Sequence, residues 1–224
     1  MTDETNEPVP TKVVLLGETA VGKSCLISRF VSNKFQSNFV PTMGGCYSSK
    51  EVKYDKLNKK LKYEIWDTAG QEKYRAINKI FYQDAAVAIL VYDITRKDSF
   101  EELKNYWYIE VRDNSPKDVI IAIAANKSDL YEFEEVNNED LQNFADSINA
   151  IYKETSALNG TGINELFDSI GYKLLSPENY VELLRKANSS ICSNNKLNNT
   201  GASFKVGNKS KIDSGDAGAK KNCC

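Results

Sequence analysis

The sequence predicts a layered α/β domain with a six-stranded, mostly parallel sheet, one antiparallel strand near Val52, and helices on both faces. Two almost wholly apolar runs, Ala85 to Tyr92 and Val119 to Ala125, are typical of parallel strands that are covered on both sides. Stretches with helical spacing follow such runs, which is the order expected when helices connect parallel strands. The net charge of −2 gives no reason to expect nucleic acid as a partner.

The first half of the chain alternates strand-like and helix-like segments. Lys12 to Leu16 is a short apolar run that ends at a glycine, which predicts a buried strand. Gly22 to Val31 carries apolar residues three and four positions apart, which predicts a helix with one apolar face. Two strand-like segments between Val52 and Ile65 flank Asn58 and nearby lysines, and this pattern predicts a hairpin with a polar turn.

The second half predicts three helices and a last strand. The helices are expected at Ser99 to Asp113, Asn138 to Asn149 and Ile163 to Leu175, and the strand at Ile151 to Thr155. Together with the two apolar runs, these segments complete the predicted six-stranded sheet.

The length of 224 residues suits one domain with a tail. We expect a flexible N-terminus at 1–10, the folded domain at 11–176 and a flexible tail at 177–224. After Asn188 the chain is mostly Asn, Ser, Gly and Lys, which cannot bury enough apolar surface to offset the entropy of ordering. From Ser190 onward the chain contains six Lys and two Asp, which is a net charge of +4. The rest of the chain therefore has a net charge of −6.

The histidine and cysteine content limits the chemistry and the cellular compartment that we expect for the protein. Histidine is absent, which removes imidazole acid/base catalysis. The five unevenly spaced cysteines do not suggest a disulfide framework, so a reducing, cytosolic compartment is expected. No run approaches eighteen apolar residues, so we expect no membrane-spanning helix.

A phosphate-binding loop is predicted between the first strand and the first helix. The pattern G-x-x-x-x-G-K-S/T is matched by Gly17-Glu18-Thr19-Ala20-Val21-Gly22-Lys23-Ser24. Glycines let the backbone approach phosphates, and successive N–H groups at a helix start attract an anion. Lys23 would contact the β- and γ-phosphates and Ser24 would bind Mg²⁺. Cys25 follows in the same nucleotide-binding segment, where we expect a small packing residue. The alternative is a glycine-rich turn without a ligand.

A second motif favours guanine over adenine. Asn126-Lys127-Ser128-Asp129 directly follows an apolar strand, and open α/β sheets bind ligands at the carboxyl ends of their strands. The carboxylate of Asp129 can accept two hydrogen bonds from guanine, whereas adenine would leave it unpaired. Ser156 and Ala157 follow the last predicted strand, where a backbone N–H could reach the purine O6.

A third motif predicts a nucleotide-dependent switch. Asp67 could hold Mg²⁺ through its water shell, and Gly70 could turn its N–H toward the γ-phosphate. Gln71 could orient the attacking water, and Thr42 could bring a second hydroxyl to Mg²⁺. Loss of the γ-phosphate would release both loops. None of these motifs contains an arginine that could serve as an intrinsic finger, so we expect slow hydrolysis that needs an activating protein. Two alternatives are a binding module without turnover and a P-loop kinase or ATPase.

With these residues in place, Lys12 to about Leu175 resembles the Ras superfamily of small GTPases, with the P-loop NTPase fold. Within it the chain is similar to the Rab family, on the phrases Ile65-Trp66-Asp67-Thr68-Ala69-Gly70-Gln71-Glu72-Lys73-Tyr74 and Leu90-Val91-Tyr92-Asp93-Ile94-Thr95 and the terminal Cys223-Cys224. The phosphate loop and Glu154-Thr155-Ser156-Ala157 are similar to the early-endosomal branch. The resemblance implies a GTP-hydrolysing switch of vesicle traffic that recruits effectors when GTP is bound.

The resemblance also implies roles for single residues. Phe35 would stack beside the guanine, Lys127 would pack on its other face, and Asn126 would tie that loop to the phosphate loop. Effectors would contact three aromatic residues that composition alone would assign to the core: Tyr47, Trp66 and Phe81. The chain departs from the usual Rab pattern at 43–47, at 81–85, at Leu158 and at Thr19.

Membrane attachment and partners are implied in the same way. Cys223-Cys224 is similar to the double-cysteine prenylation signal, and two geranylgeranyl chains would anchor the protein stably where one would not. The implied partners are effectors, an exchange factor, an activating protein and a GDP-dissociation inhibitor or escort protein. The protein would be monomeric and would cycle between the cytosol and the cytoplasmic face of endosomal membranes.

Overall fold

A single six-stranded sheet organises the chain. The computed structural model describes residues 7–35, 42, 44–70 and 80–198, with side chains as far as residue 187. The strands are β1 (Val9–Leu16), β2 (Gly45–Tyr54), β3 (Lys59–Thr68), β4 (Val87–Asp93), β5 (Ile120–Asn126) and β6 (Ile151–Thr155). They lie in the order β2-β3-β1-β4-β5-β6. Only β2 is antiparallel to its neighbour, so the predicted sheet is confirmed.

Helices lie between several of the strands and after the last one. They are α1 (Lys23–Ser32), α2 in three consecutive segments (α-helical Lys97–Glu102, π-helical Leu103–Trp107, α-helical Tyr108–Asn114), α3 (Asn138–Ser147), α4 (Ile163–Leu174) and α5 (Pro177–Asn198). Short 3-10 turns lie at Asp55–Leu57 and Ser128–Phe133. The predicted ends of α1 to α4 differ from these bounds by at most two residues, and the starts at Asn138 and Ile163 agree. Among the described residues, no helix has the length and apolar character needed to cross a bilayer.

The sheet separates two layers of core, as β4 illustrates. Every residue of β4 is buried, because β1 and β5 flank it and helices cover both faces. Val87, Ile89 and Val91 pack into one apolar cluster, while Leu90 and Tyr92 pack into the other. This alternation is the period-two pattern of a strand, and it explains why the run is apolar throughout.

The folded domain begins earlier than expected. β1 starts at Val9, inside the expected flexible segment 1–10, and Val9 pairs with Leu61 of β3. Val9 lies between Pro8 and Pro10, and prolines ordinarily indicate a loop because they lack an N–H. β4 joins the ladder only from Val13, so at Pro10 the strand has one neighbour and tolerates the missing donor.

The folded part also extends beyond the expected boundary at residue 176. α5 begins at Pro177, and its Leu183 and Ala187, four residues apart, are buried in the same cluster as Val9. The Lys186 ammonium lies 2.6 Å from a carboxylate oxygen of Asp118. α5 therefore packs on the domain rather than beginning a flexible tail there. The remainder of the expected tail, from residue 199, lies outside the described residues.

Candidate functional site

A cavity of about 610 Å³ opens where the carboxyl ends of the central strands meet. Motifs that are far apart in sequence converge on it, because parallel strands end at the same edge. The predicted residues that line it are Thr19, Ala20, Gly22, Lys23, Ser24, Cys25, Phe35, Thr42, Gly70, Asn126, Lys127, Asp129 and Ala157. The arrangement places a basic, glycine-rich end and an end formed by the predicted base-binding residues within one continuous volume.

The loop between β1 and α1 depends on two glycines. Gly17 and Gly22 have φ angles of +148° and +98°, a region that favours glycine. A Cβ at Gly17 would lie 2.2 Å from the Val91 carbonyl oxygen, and one at Gly22 would lie 2.3 Å from the Asn126 amide nitrogen. Gly17 thus allows the loop to pack against β4, and Gly22 allows it to pack against the loop that follows β5.

Lys23 forms the cationic centre of the phosphate loop. Its ammonium donates to the carbonyl oxygens of Gly17 at 2.8 Å and Glu18 at 3.0 Å, and the residue is only 6% exposed. Burial lowers the pKa of Lys23 to about 8, and the negative charges of Asp67 and Glu18 offset part of that effect. A buried, positioned cation of this kind is suited to binding a phosphate anion.

Three oxygen-bearing side chains meet beside Lys23. The Ser24 hydroxyl donates to Asp67 Oδ2 at 2.5 Å, and the Thr42 hydroxyl lies 3.0 Å from that of Ser24 and 3.3 Å from Asp67 Oδ2. Burial raises the pKa of Asp67, against the lowering effects of the Ser24 bond and the Lys23 charge. Asp67 Oδ1 is buried and has no hydrogen-bond partner among the described residues. Such a hard-oxygen set with an unsatisfied carboxylate oxygen fits Mg²⁺.

The predicted base-binding end is stabilised by amide and hydroxyl hydrogen bonds. Asn126 Nδ2 donates to the Val21 carbonyl oxygen at 2.8 Å, and Asn126 Oδ1 accepts from the Thr155 hydroxyl at 3.3 Å. The Ser156 hydroxyl donates to Asp129 Oδ1. Asn126 therefore joins three segments: the phosphate loop, its own loop and the end of β6.

The three predicted effector-contact aromatics form a row away from the cavity, in which Tyr47 meets Trp66 edge to face and Trp66 meets Phe81 at a tilt. Their ring centroids lie 5.3 Å apart for Tyr47 and Trp66, and 5.4 Å apart for Trp66 and Phe81. Tyr47 is 50% exposed, while Trp66 and Phe81 are half-buried and pack on the core. The row is thus partly accessible, whereas composition alone would assign all three residues to the core.

Comparison with known proteins agrees with this geometry. A model of the Ras family matches residues 12–176. Ras-related protein Rab-22A of Homo sapiens is 47% identical over 167 residues, which cover 75% of this chain and 84% of that protein. Ras-related protein Rab-31 of Mus musculus is 44% identical over 163 residues, which cover 73% and 82%. The putative ras-related protein Rab-5B of Dictyostelium discoideum is 44% identical over 170 residues, which cover 75% and 76%.

The chain belongs to the Rab GTPases of the Ras family. It is a small GTPase of vesicle trafficking that hydrolyses GTP to GDP. Ras-family GTPases bind GTP or GDP with Mg²⁺, and the Rab family works with effectors, exchange factors, activating proteins and dissociation inhibitors.

Several predicted residues of this Rab protein lie behind the cavity wall or outside the described residues. Gly17, Glu18, Val21, Asp67 and Ser156 do not line the cavity but contact residues that do. Gln71, Cys223 and Cys224 lie outside the described residues.

The expectation for Cys25, which does line the cavity, agrees with its surroundings. Its side chain is buried, and burial raises the pKa of its thiol to about 11. The thiol is therefore protonated at neutral pH, as suits a packing residue.

Sequence reasoning missed several residues of the site. Thr68, Leu130 and Leu158 line the cavity beside predicted motif residues. Arg29, in the last turn of α1, donates to the carbonyl oxygen of Ala157 at 2.9 Å and to that of Leu158. Leu130 and Leu158 could have been found as apolar residues adjacent to the predicted base-binding motifs. No local pattern indicates the contact of Arg29 with Ala157, because these residues are 128 positions apart.

Proposed function

We propose that this Rab protein holds guanine nucleotide and Mg²⁺ through the side chains that meet at the cavity, and that it works as a membrane-anchored switch. The observation that carries the proposal is their convergence on one cavity of about 610 Å³ from segments that are separate in sequence. That volume lies within the range of about 300–1,000 Å³ usual for small-molecule sites.

The base is recognised by Asp129. Its carboxylate would accept from the N1–H and the exocyclic amine of guanine, while the Ser156 hydroxyl donates to its Oδ1 and orients it. Phe35 and Lys127 would flank the two faces of the ring, and both line the cavity. The backbone N–H of Ala157 would reach O6. Adenine offers no donor at N1, so it would leave a carboxylate unpaired.

The phosphates are bound by the loop from Gly17 to Ser24. Its backbone N–H groups and the start of α1 supply partial positive charge, and Lys23 supplies a full charge. Besides the carbonyl oxygens of Gly17 and Glu18, the Lys23 ammonium would take a phosphate oxygen as a further acceptor. Binding would raise the proton affinity of this lysine because an anion lies beside it.

Mg²⁺ would be held by Ser24, Thr42 and Asp67. The mutual hydrogen bonds of these three oxygens and the unpartnered Asp67 Oδ1 support this assignment. When bound, the ion neutralises charge that develops between the β- and γ-phosphates.

Hydrolysis and switching are assigned to two loops. Gly70 packs directly on the phosphate loop, where a Cβ would lie 2.6 Å from the Thr19 nitrogen, so its N–H could follow the γ-phosphate. Gln71 would orient the attacking water, and proton transfer needs no strong base because positioning dominates this chemistry. Loss of the γ-phosphate would free Gly70 and Thr42 together, so that both loops relax.

We assign effector binding to the aromatic row on the surface and membrane attachment to the two C-terminal cysteines. We assign effector contact to the row Tyr47, Trp66 and Phe81, with Tyr47 as its exposed end. Geranylgeranyl groups on Cys223 and Cys224 would anchor the protein at endosomal membranes, and a dissociation inhibitor or escort protein would cover them in the cytosol. Replacing both cysteines by serine should move the protein from the membrane fraction to the soluble fraction of eukaryotic cells, and unchanged membrane attachment would contradict this.

The catalytic assignment is tested by phosphate release. The full chain is loaded with GTP and Mg²⁺ and followed over a single turnover, as wild type, Gln71→Leu and Gln83→Leu. The exposed Gln83 serves as the matched control. We expect release to slow at least about tenfold in Gln71→Leu alone, since positioning of the water is lost. Equal rates in all three proteins would overturn the role of Gln71.

A further inference from the structure

We propose that Asp93 is a positioning residue for Lys127, and that its buried carboxylate slows the release of guanine nucleotide by fixing the lysine ammonium. The inference rests on the proposed function, in which Lys127 packs against the base.

Strand register brings the two residues together. Asp93 is the last residue of β4 and pairs with Asn126, the last residue of β5. Lys127 follows directly, so its side chain can turn back over the end of β4. Lys127 Nζ lies 2.6 Å from Asp93 Oδ2, with the side chain of Asp93 only 2% exposed.

The carboxylate of Asp93 is held in one orientation. Its Oδ1 accepts from the backbone N–H of Thr95 at 3.0 Å and from the Thr95 hydroxyl at 2.8 Å. Its own backbone N–H donates to the Ser99 hydroxyl at 3.0 Å. With Oδ1 satisfied twice, Oδ2 faces the lysine. A charge-assisted bond to a fixed, buried acceptor is among the stronger contacts in proteins.

The backbone and the side chain of Lys127 would both be stabilised by a fixed acceptor such as the Asp93 carboxylate. Its backbone has φ +66°, the left-handed region that residues with a Cβ adopt at a cost, so the turn is held by its surroundings. Lys127 lines the cavity, and its flexible four-carbon stem would otherwise sample many rotamers. Fixing the ammonium before nucleotide arrives lowers the entropy lost on binding, and fixing it afterwards slows release. Asp93 does not line the cavity, and Lys127 is the lining residue with which its carboxylate pairs, so the direct route from Asp93 to the base is through the lysine.

A double-mutant cycle tests this. GDP dissociation is measured with Mg²⁺ present for the full chain as wild type, Asp93→Asn, Lys127→Met and the double variant; methionine keeps the stem and removes the charge. We expect Asp93→Asn to speed dissociation about tenfold, because a charge-assisted contact is lost. In the Lys127→Met background the same change should have less than about a twofold effect, since contacts that act as one unit are not additive. An equal acceleration in both backgrounds would overturn the inference and show that Asp93 acts only through the fold.

The base used in the assay adds a second readout. Lys127 would contact the face of the ring, so Asp93→Asn should speed the release of GDP and of inosine diphosphate, which lacks the exocyclic amine, by the same factor. A larger factor for GDP would contradict action through Lys127. If Asp93→Asn does not fold, Thr95→Val loosens the carboxylate without removing its charge and should speed release about two- to threefold; a rate equal to wild type would then overturn the inference.

The outcome separates the inference from the function on which it rests. A wild-type protein that fails to retain GDP would contradict the proposed function and the inference with it. A wild type that retains GDP while Asp93→Asn releases it equally slowly would contradict only the role of Asp93.

Discussion

Truncating Leu183 to alanine tests whether α5 is part of the folded domain. Leu183 is 4% exposed, it packs in the cluster that holds Val9, and it borders a small cavity of about 20 Å³. Leu-to-Ala changes at buried sites cost about 2–5 kcal/mol. Since α5 lies on the surface and can relax, we expect the low end, about 2 kcal/mol of docking free energy. The Lys186–Asp118 pair would not compensate, because partly exposed ion pairs contribute only about 0–1 kcal/mol.

Hydrogen exchange of the α5 amides measures this loss directly, because α5 can open without unfolding the sheet. A loss of about 2 kcal/mol corresponds to about 30-fold faster exchange. The matched control is Val181→Ala on the same helix, where the side chain is 70% exposed and the change should stay within about 0.5 kcal/mol. Exchange in wild-type α5 at the rate of an unstructured peptide, or equal exchange in the two variants, would refute the docked helix.

Three other changes test the site and the core. Asp129→Asn should weaken GDP binding about 100-fold and improve xanthosine diphosphate binding, since an amide can donate to the extra carbonyl; a retained preference for GDP in competition would contradict the assignment. Chelating Mg²⁺ should speed GDP release about tenfold in wild type and much less in Ser24→Ala, measured by stopped flow; equal acceleration in both would exclude this hydroxyl as a ligand. Gly171→Ala should lower the unfolding free energy by about 1–3 kcal/mol, because a Cβ would lie 1.8 Å from the Tyr54 hydroxyl; an unchanged melting temperature would contradict the packing.

The sheet and most of the cavity could be predicted from sequence because each motif stands at the end of a recognisable strand. The apolar runs determine which strands are central, and parallel strands bring their carboxyl ends to one edge. Asn126, Lys127 and Asp129 illustrate this, because they were predicted as one motif after an apolar strand and all three line the cavity. The tie of Asn126 to the phosphate loop was implied only by the family resemblance, and its amide donates to the Val21 carbonyl oxygen. Local patterns were sufficient wherever the chemistry belongs to residues adjacent in sequence.

The remainder depends on contacts between distant segments. The Asp93–Lys127 pair requires the register of β4 and β5, and the contacts of Arg29 require the position of the loop after β6. α5 was not predicted because, among its side chains described as far as residue 187, only Leu183 and Ala187 are buried. Two such residues are too few to distinguish a docked helix from a polar tail. The π-helical segment Leu103–Trp107 likewise has no signal in the apolar periodicity of α2.

The nucleotide carried by the purified protein tests the central claim most directly. The full chain is purified with Mg²⁺ and denatured, and the released nucleotide is identified by chromatography; the protein is then reloaded with GTP and phosphate release is followed. We predict guanine nucleotide in near one-to-one amount and slow hydrolysis that depends on Gln71. An adenine nucleotide, or no affinity for GTP, would contradict the base recognition built on Asp129. Bound guanine nucleotide without any turnover would contradict the hydrolytic switch.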